Sequence, residues 1–351
     1  MRLIVDAMSG DNAPQEIIKG CVEAAVEYGV HLTLVGDKEI VEKELRLLNA
    51  PTANFEIVHS SDIITMEDEP TKALRQKPEA SMSIGLRLAK EDAGSVFISA
   101  GNTGALVTGG TLKRLGPGRL EGIDRPALAP FIPNRRNGSL LLDAGANADC
   151  KPLNLVQFAV MGSIYMEKVL GRSNPKVGLI NIGTEETKGN ELTKAAFALL
   201  KETRGINFIG NIEPREMPEG AADILVCDGF TGNVILKLTE GLATSLFGML
   251  KEEMMKSISS KLGALLLKPG LRGFKRKLDY TEHGGAPLLG VNGGIIKAHG
   301  SSNARAMKNA IRQGKLYLEN GVLSSIKNSI QSFKFMEDSH SCSKGANHLE
   351  Q

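Results

Sequence analysis

The chain has 351 residues, 42% apolar and 23% charged, enough to bury a large core as one large or two modest domains. Its 42 Lys and Arg against 40 Asp and Glu leave a formal charge of +2, so no whole-molecule field recruits nucleic acid and any basic patch must be local. No apolar run is long enough to span a bilayer, and the four cysteines, at 21, 150, 227 and 342, show neither metal-ligand spacing nor a disulfide framework, which fits a reducing cytoplasm.

In chain order, residues 2–6 already read as a strand ending in Asp6, without the positive start and long apolar region of a signal peptide. Ile17, Ile18, Cys21, Val22, Ala25 and Val26 fall on one helical face, with Pro14 near the start and Gly29 past the end. Apolar strand candidates follow at 31–35, 54–58, 94–99, 138–143, 176–182, 206–209 and 223–227, most of them separated by helical patterns. Runs this apolar predict strands covered on both faces, hence a three-layer αβα fold with a mostly parallel sheet. The apolar helix candidates at 153–170 and 234–250 are expected to keep a buried face for a second subunit. Low apolar content after about residue 335 predicts a flexible tail at 334–351, behind an α/β catalytic unit at 1–333 built as one body or two lobes.

Several strand candidates run straight into glycine and small polar residues. SAGNTGALVTGG (99–110) matches neither familiar nucleotide fingerprint, G-x-x-x-x-G-K-[ST] nor G-x-G-x-x-G. LLLDAGANAD (140–149), LINIGTEETKGNE (179–191), ILVCDGFTGNVILK (224–237) and KAHGSSNARAMKNA (297–310) make the same passage into helical periodicity. Each alone is what ordinary helix capping produces. Five in one chain predict a polar, phosphate-sized site at the carboxyl ends of the strands, where helix N-termini present N–H groups and a positive dipole end. Lys188, Arg125, Lys237 and Lys297 sit in or near these loops, where a lone lysine is more often a solvated surface charge. Asp6, Asp143 and Asp228 at strand ends read as turn caps or as a carboxylate cluster for a metal, and capping is the preferred reading.

Taken together, DAMSGD (6–11), SAGNTGAL (99–106), GIDRPALA (122–129), LLDAGAN (141–147), GLINIGTEETKGNE (178–191), CDGFTGNVILKLTEG (227–241), and GGAPLLGVNG with KAHGSS (284–302) resemble, in order, the motifs of the bacterial phosphate acyltransferases, the PlsX family. Ser9 stands where that family usually has a second glycine, and NIEPRE (211–216) replaces its usual Glu-Gly-Arg-Asp pattern. The resemblance implies transfer of a fatty acyl group from acyl carrier protein to inorganic phosphate, giving acyl phosphate for phospholipid synthesis. It also implies a homodimer, no cofactor and no metal, and a fold similar to the isocitrate and isopropylmalate dehydrogenases and to phosphotransacetylase. Phosphate is substantially dianionic near neutral pH and attacks a thioester without a strong base, so no Ser-His-Asp triad is required. Catalytic candidates are Lys188, Asn233 and His299; His299 either protonates the departing thiolate or, as readily, is a structural residue beside a glycine turn. Binding candidates are Asn102, Thr103, the Gly183 to Gly189 loop, Asp228, Thr231, and the helix start at Ser301 and Ser302. An oxidoreductase of the same broad fold and a non-catalytic membrane scaffold for lipid synthesis are the competing readings; hydroxylamine-trappable acyl phosphate separates the first reading from both.

Residues 254–278 are the one lopsided stretch, with seven basic residues, at 256, 261, 268, 272, 275, 276 and 277, and no acidic one. Ile258, Leu262, Leu265 and Leu266 lie on one helical face, Lys261 and Lys268 lie elsewhere, and Pro269-Gly270 is expected to end the helix. Leu267, Leu271 and Phe274 widen the apolar character, and Lys275, Arg276 and Lys277 follow. This pattern predicts a helical tip, within about 234–278, that touches an anionic membrane peripherally or greets acidic acyl carrier protein.

Overall fold

The computed structural model describes residues 2–278 and 284–331, leaving aside the side chains of Arg272 and of 275–278. The predicted tail at 334–351 and Cys342 lie outside the described residues, as do the side chains of Lys275, Arg276 and Lys277. The strands are β1 (Arg2–Asp6), β2 (Leu32–Gly36), β3 (Phe55–His59), β4 (Ser95–Ser99), β5 (Ala127–Leu128), β6 (Phe131–Ile132), β7 (Ser139–Leu142), β8 (Lys176–Ile180), β9 (Asn207–Ile212), β10 (Ile224–Val226), β11 (Ala286–Leu289) and β12 (Gly294–Lys297). They form two sheets, in the orders β3-β2-β1-β4-β12-β11-β5 and β6-β7-β10-β8-β9. Pairing is parallel except at the ends formed by β11, β5 and β6. Every strand candidate read from the sequence is a strand, while β11 and β12 were not among the candidates and the two-residue β5 and β6 are too short to carry a periodicity.

Burial on both faces is visible as strict alternation along the strands. Leu3 and Val5 enter one core cluster and Ile4 another; Val96 and Ile98 part from Phe97 in the same way. In the second sheet Leu140 and Leu142 face the first cluster while Leu141 faces a third. Helices α1 (Gln15–Tyr28), α2 (Lys38–Leu47) and α10 (Ala304–Glu319) cover one face of the first sheet, and α4 (Ser81–Glu91) and α5 (Thr103–Thr111) the other, beside α3 (Pro70–Gln76). Gly20 of α1 has to lack a side chain, because a Cβ there would stand 2.5 Å from the Ala304 carbonyl oxygen of α10. Val26, expected on the buried face of α1, is 68% exposed. It lies half a turn round from Ile17, outside the stripe of Ile17, Ile18, Cys21, Ala24 and Ala25.

Helix α6 (Pro152–Lys168) is buried along nearly its whole length, within the cluster that also holds α1 and α10 residues, and it packs on β7, β10 and α7 (Glu191–Glu202). The face expected at 153–170 for a second subunit is therefore consumed inside the chain. The opposite holds for α8 (Gly229–Met255) and α9 (Ile258–Leu278), which pack against each other as a projecting pair, with the Phe247 and Phe274 rings 5.8 Å apart. Val234, Leu238, Leu242 and Leu246 recur every four residues along α8 and are 49–66% exposed. On α9, Leu262, Leu265 and Leu266 are 61–77% exposed, while Gly263 and Ala264 are half-buried. The helix does not end at Pro269 as expected. Proline's fixed φ is compatible with a helix and its absent N–H removes a single hydrogen bond, so α9 continues to Leu278. None of the described helices is long and apolar enough to cross a membrane.

Candidate active site

The carboxyl ends of β4 and β12 in the first sheet face those of β7 and β10 in the second across a cavity of about 630 Å³. Its wall includes Thr103 from α5, Gly145 and Ala146 after β7, Phe230, Asn233, Lys237 and Glu240 from α8, and Lys297 and His299 at the end of β12. The glycines of CDGFTGN set this geometry. A Cβ on Gly232 would lie 1.8 Å from the Asp143 carbonyl oxygen, and one on Gly229 would lie 2.3 Å from that of Asn147. Only glycine lets the first turn of α8 settle on the loop after β7, which brings Asn233 opposite Gly145 across the cavity wall. The glycines of SAGNTGAL serve packing too: a Cβ on Gly101 would strike Met82 and Ser9, and one on Gly104 would strike Pro70.

Lys297 is the central charge. It is 8% exposed, and its Nζ donates to the carbonyl oxygens of Ala100, at 3.3 Å, and of Ala298. Burial, reinforced by the nearby Lys237 cation, lowers its pKa from 10.5 to about 8. At neutral pH it is still mostly a cation, held where a dianion is the natural counter-charge. His299 is half-buried two residues on. Its Nδ1 accepts the Ser301 N–H at 3.2 Å and lies 2.8 Å from Ser301 Oγ, which assigns the ring proton to Nε2. Nε2 faces Glu240 Oε1 at 3.8 Å. Desolvation first, with Lys297 and Lys237 behind it and Glu240 opposing, holds the imidazole pKa below 6.5, so the ring is neutral at pH 7. Glu240 also pairs with Lys237 at 2.9 Å.

The other predicted residues fall into place around this set. Thr103 lines the cavity, but the adjoining Asn102 is spent on structure: it caps α5 at Ala105 N, and its amide donates to the carbonyl oxygens of Thr65, Met66 and Asp68. Asp228 caps α8, accepting from Thr231 N at 2.9 Å and Thr231 Oγ1 at 2.8 Å. Ser302 is fully buried and its hydroxyl donates to the His299 carbonyl oxygen at 2.6 Å. The helix does not begin at Ser301 and Ser302. Asn303 caps α10, and the Glu16 carboxylate accepts from Ala304 N at 2.8 Å, so this helix N-terminus draws its anion from within the chain. Lys188, Gly183 and Gly189 lie after β8, outside the cavity wall; Lys188 is exposed, and Gly189, at φ +98°, packs against Asn181 and Thr193.

Asp143, fully buried, accepts from Leu128 N, Ala146 N, Asn147 N and Asn147 Nδ2, so it organises the loop after β7. Asp6 accepts from Ser99 Oγ at 2.8 Å and from Met8 N, tying β1 to β4. Among the described residues no group of three His, Cys, Asp or Glu is placed to share a metal ion. Sequence reasoning treats Lys297 as one solvated cation among four, three lysines and Arg125, and has no place for Glu240. The available signal was position: Lys297 directly follows the buried run Gly-Ile-Ile and precedes a buried alanine.

A family model described as a fatty acid synthesis protein matches residues 1–325. The chain is 54% identical to a phosphate acyltransferase of Alkaliphilus oremlandii over 332 residues, covering 95% of this chain and 98% of that protein. It is 50% identical to a phosphate acyltransferase of Clostridioides difficile over 334 residues, covering 95% and 97%. Among solved structures, a phosphotransacetylase from Streptococcus pyogenes superposes with a TM-score of 0.60 at 15% identity, over 91% of this chain and 94% of that one. The EutD phosphotransacetylase from Staphylococcus aureus gives 0.58 at 14% identity, over 90% and 94%. At such identities the two structures speak for the fold alone.

Proposed function

The chain belongs to the bacterial phosphate acyltransferase family, and on that premise we propose that it moves a fatty acyl group from acyl carrier protein to inorganic phosphate, giving acyl phosphate for phospholipid synthesis. The observation that carries this reading is Lys297, a nearly buried cation at the wall of a cavity where strand ends from two sheets meet. Two of its three N–H groups go to backbone carbonyls, which leaves the third for phosphate. A phosphate oxygen then attacks the thioester carbonyl carbon. The carbonyl becomes an oxyanion, the carbon–sulfur bond breaks, and the thiolate of the carrier leaves and takes a proton from water. A neutral His299 with its proton on Nε2 is suited to donate to the oxyanion rather than to act as an imidazolium acid, and Asn233 supplies a second donor. Apolar wall residues such as Leu128 and Phe131 keep water from hydrolysing the product. Thr103 contributes a hydroxyl, while Asn102, Asp228, Thr231 and Ser302 position the loops. Lys188 is assigned to drawing anionic substrates toward the strand ends.

The test is incubation of the purified protein with palmitoyl acyl carrier protein, phosphate and hydroxylamine. Phosphate-dependent hydroxamate supports the reading; free fatty acid without it, or a nicotinamide absorbance change, overturns it.

The exposed stripe of α8 is assigned to a second copy of the chain, and the exposed stripe of α9 to peripheral contact with an anionic membrane from the cytoplasmic side. The two assignments are supported by exposure, since the leucines of both stripes remain open although α8 and α9 pack together. Replacing Leu265 and Leu266 together by Glu is expected to abolish co-sedimentation with anionic liposomes while acyl transfer in solution persists; a folded double variant that still sediments sinks the membrane assignment.

A further inference from the structure

Four titratable side chains among the described residues line the cavity at the strand ends: Lys237 and Glu240 on α8, Lys297 on β12 and His299 just after it. Lys237 and Glu240 take no part in the proposed transfer. Their position is nonetheless specific. Gly229, Phe230, Asn233, Leu236, Lys237 and Glu240 all line the cavity at helical spacing, so one face of α8 forms its wall and Lys237 stands one turn beyond Asn233. The Lys237 charge is felt by both groups at the end of β12. It lowers the pKa of Lys297, second only to burial, and adds to the lowering of His299. Asp11 opposes it at both groups and Asp6 at Lys297, but neither aspartate lines the cavity.

Two cations at one cavity repel each other, and a poorly hydrated wall makes that costly unless an anion stands between them. Within the chain the available anion is Glu240, whose Oε2 lies 2.9 Å from Lys237 Nζ. Its other oxygen faces His299 Nε2 at 3.8 Å, beyond hydrogen-bond range, so the carboxylate is committed to the lysine. One carboxylate does not match two cations, and Lys297 has a single N–H left, too few for the several oxygens of a phosphate dianion. Lys237 carries three N–H groups on a flexible stem, and Glu240 is its one hydrogen-bond partner among the described residues. Its side chain is 60% exposed against 21% for that of Glu240, so the lysine is free to turn from the carboxylate to an anion at the same wall. We propose that Lys237 is the second cation of the phosphate site, exchanging Glu240 for the phosphate dianion that Lys297 also holds; this rests on the function proposed above. The two lysines reach the anion from different sheets, Lys237 from the helix that follows β10 and Lys297 from β12, so a bound phosphate links the two sets of strand ends. The same contact also reads as an ordinary i,i+3 pair bracing a helix surface, and the two readings predict opposite signs for the removal of Glu240.

The test is binding of inorganic phosphate alone, by titration calorimetry, to the purified wild type and to three variants whose folds are checked by thermal unfolding. Lys237→Met is expected to weaken phosphate binding by roughly tenfold or more, the scale of losing a hydrogen bond to a charged group. Lys237→Arg is expected to keep binding within about threefold of the wild type, because a guanidinium also pairs with phosphate. Glu240→Gln removes the competing carboxylate and is expected to tighten binding by about two- to fivefold, the scale of one partly exposed ion pair. A pair that only braces the helix loses from either side, so weakening in both Lys237→Met and Glu240→Gln overturns the inference. A Lys237→Met variant that binds phosphate like the wild type overturns it as well. Acyl transfer is followed separately, by hydroxamate formation from palmitoyl acyl carrier protein, where Lys237→Met is expected to raise the KM for phosphate by a larger factor than it lowers kcat. A wild type that binds phosphate in a Lys237-dependent way but makes no hydroxamate supports the phosphate site and removes the proposed function instead.

Discussion

Two lysines stand at or after the carboxyl ends of strands in this chain, each inside a glycine-containing motif, and their surroundings are opposite. Lys297 ends β12 almost fully buried, shares its N–H groups with two backbone carbonyls and has a pKa lowered to about 8. Lys188 follows β8 on an exposed loop that lies outside the cavity wall. Both motifs look equally ready to hold an anion when read as strings. The difference teaches that two like motifs can place a cation in opposite surroundings, and on the proposed reading it is withdrawal from water that fits the cation to hold phosphate. Charge in water is screened and weakly directional, whereas a desolvated charge acts at full strength on whatever shares its site.

The widest separation is expected in catalysis. Lys297→Met should lower phosphate-dependent turnover by on the order of a hundredfold or more, the scale seen when a preorganised charge-stabilising group is removed, with the fold retained by circular dichroism. If Lys297→Met keeps wild-type activity, the comparison between the two lysines is broken.

Next in size is a stability effect with a definite sign. The folded pKa of Lys297 lies below its unfolded value, so between about pH 8 and 10.5 the unfolded chain binds more protons and this residue adds stability as pH rises. Denaturant unfolding at pH 7 and 9.5 should show the wild type gaining about 2 kcal/mol relative to Lys297→Met over that interval. Taking the difference against the variant removes the titration of the buried tyrosines Tyr165 and Tyr317, which burial pushes upward and which act the other way at high pH. A flat difference would mean that Lys297 is not desolvated.

A third measurement separates lysine from helix end. Glu16→Gln removes the carboxylate at the start of α10 and is expected to cost about 0.5–1 kcal/mol of stability, with little change in the KM for phosphate. A large fall in phosphate KM in that variant would reveal that the helix end, once vacated, is the better anion site. The smallest effect is expected for Lys188→Ala: about a threefold rise in KM for the anionic substrates, kcat kept, and the difference erased by salt. A loss of kcat comparable with that of Lys297→Met would return Lys188 to the chemistry.

Much of the architecture was legible because it rests on local pattern. Every apolar run proposed as a strand is one, since a strand buried on both faces cannot hide its composition. The passage from strand into Gly, Asn and Thr also signalled real helix starts, with Asn102, Asn190, Asp228 and Asn303 each capping a helix. The same signal overstated the site, for capping and anion binding draw on the same residue types. Asn102 and Ser302 are spent on backbone partners, Asn102 on Ala105 and on residues 34 to 37 positions away, and Ser302 on His299 three positions away. The proline in α9 and the fate of α6 were misjudged for a related reason: a breaker in an exposed helix and an apolar helix face both depend on what lies beside them.

By itself, then, the sequence determined eight of the strands, most of the helices and the parallel α/β class, which follow from residue order and periodicity, and the family, which follows from its ordered motifs. Tertiary structure decided which glycines serve packing, which of the four candidate cations is desolvated, and that Glu16 already fills the α10 helix end. Those facts depend on distances between segments hundreds of residues apart, such as Glu16 and Ala304, and burial, on which the electrostatics of the site rests, is a property of the assembled neighbours and not of any one stretch of chain.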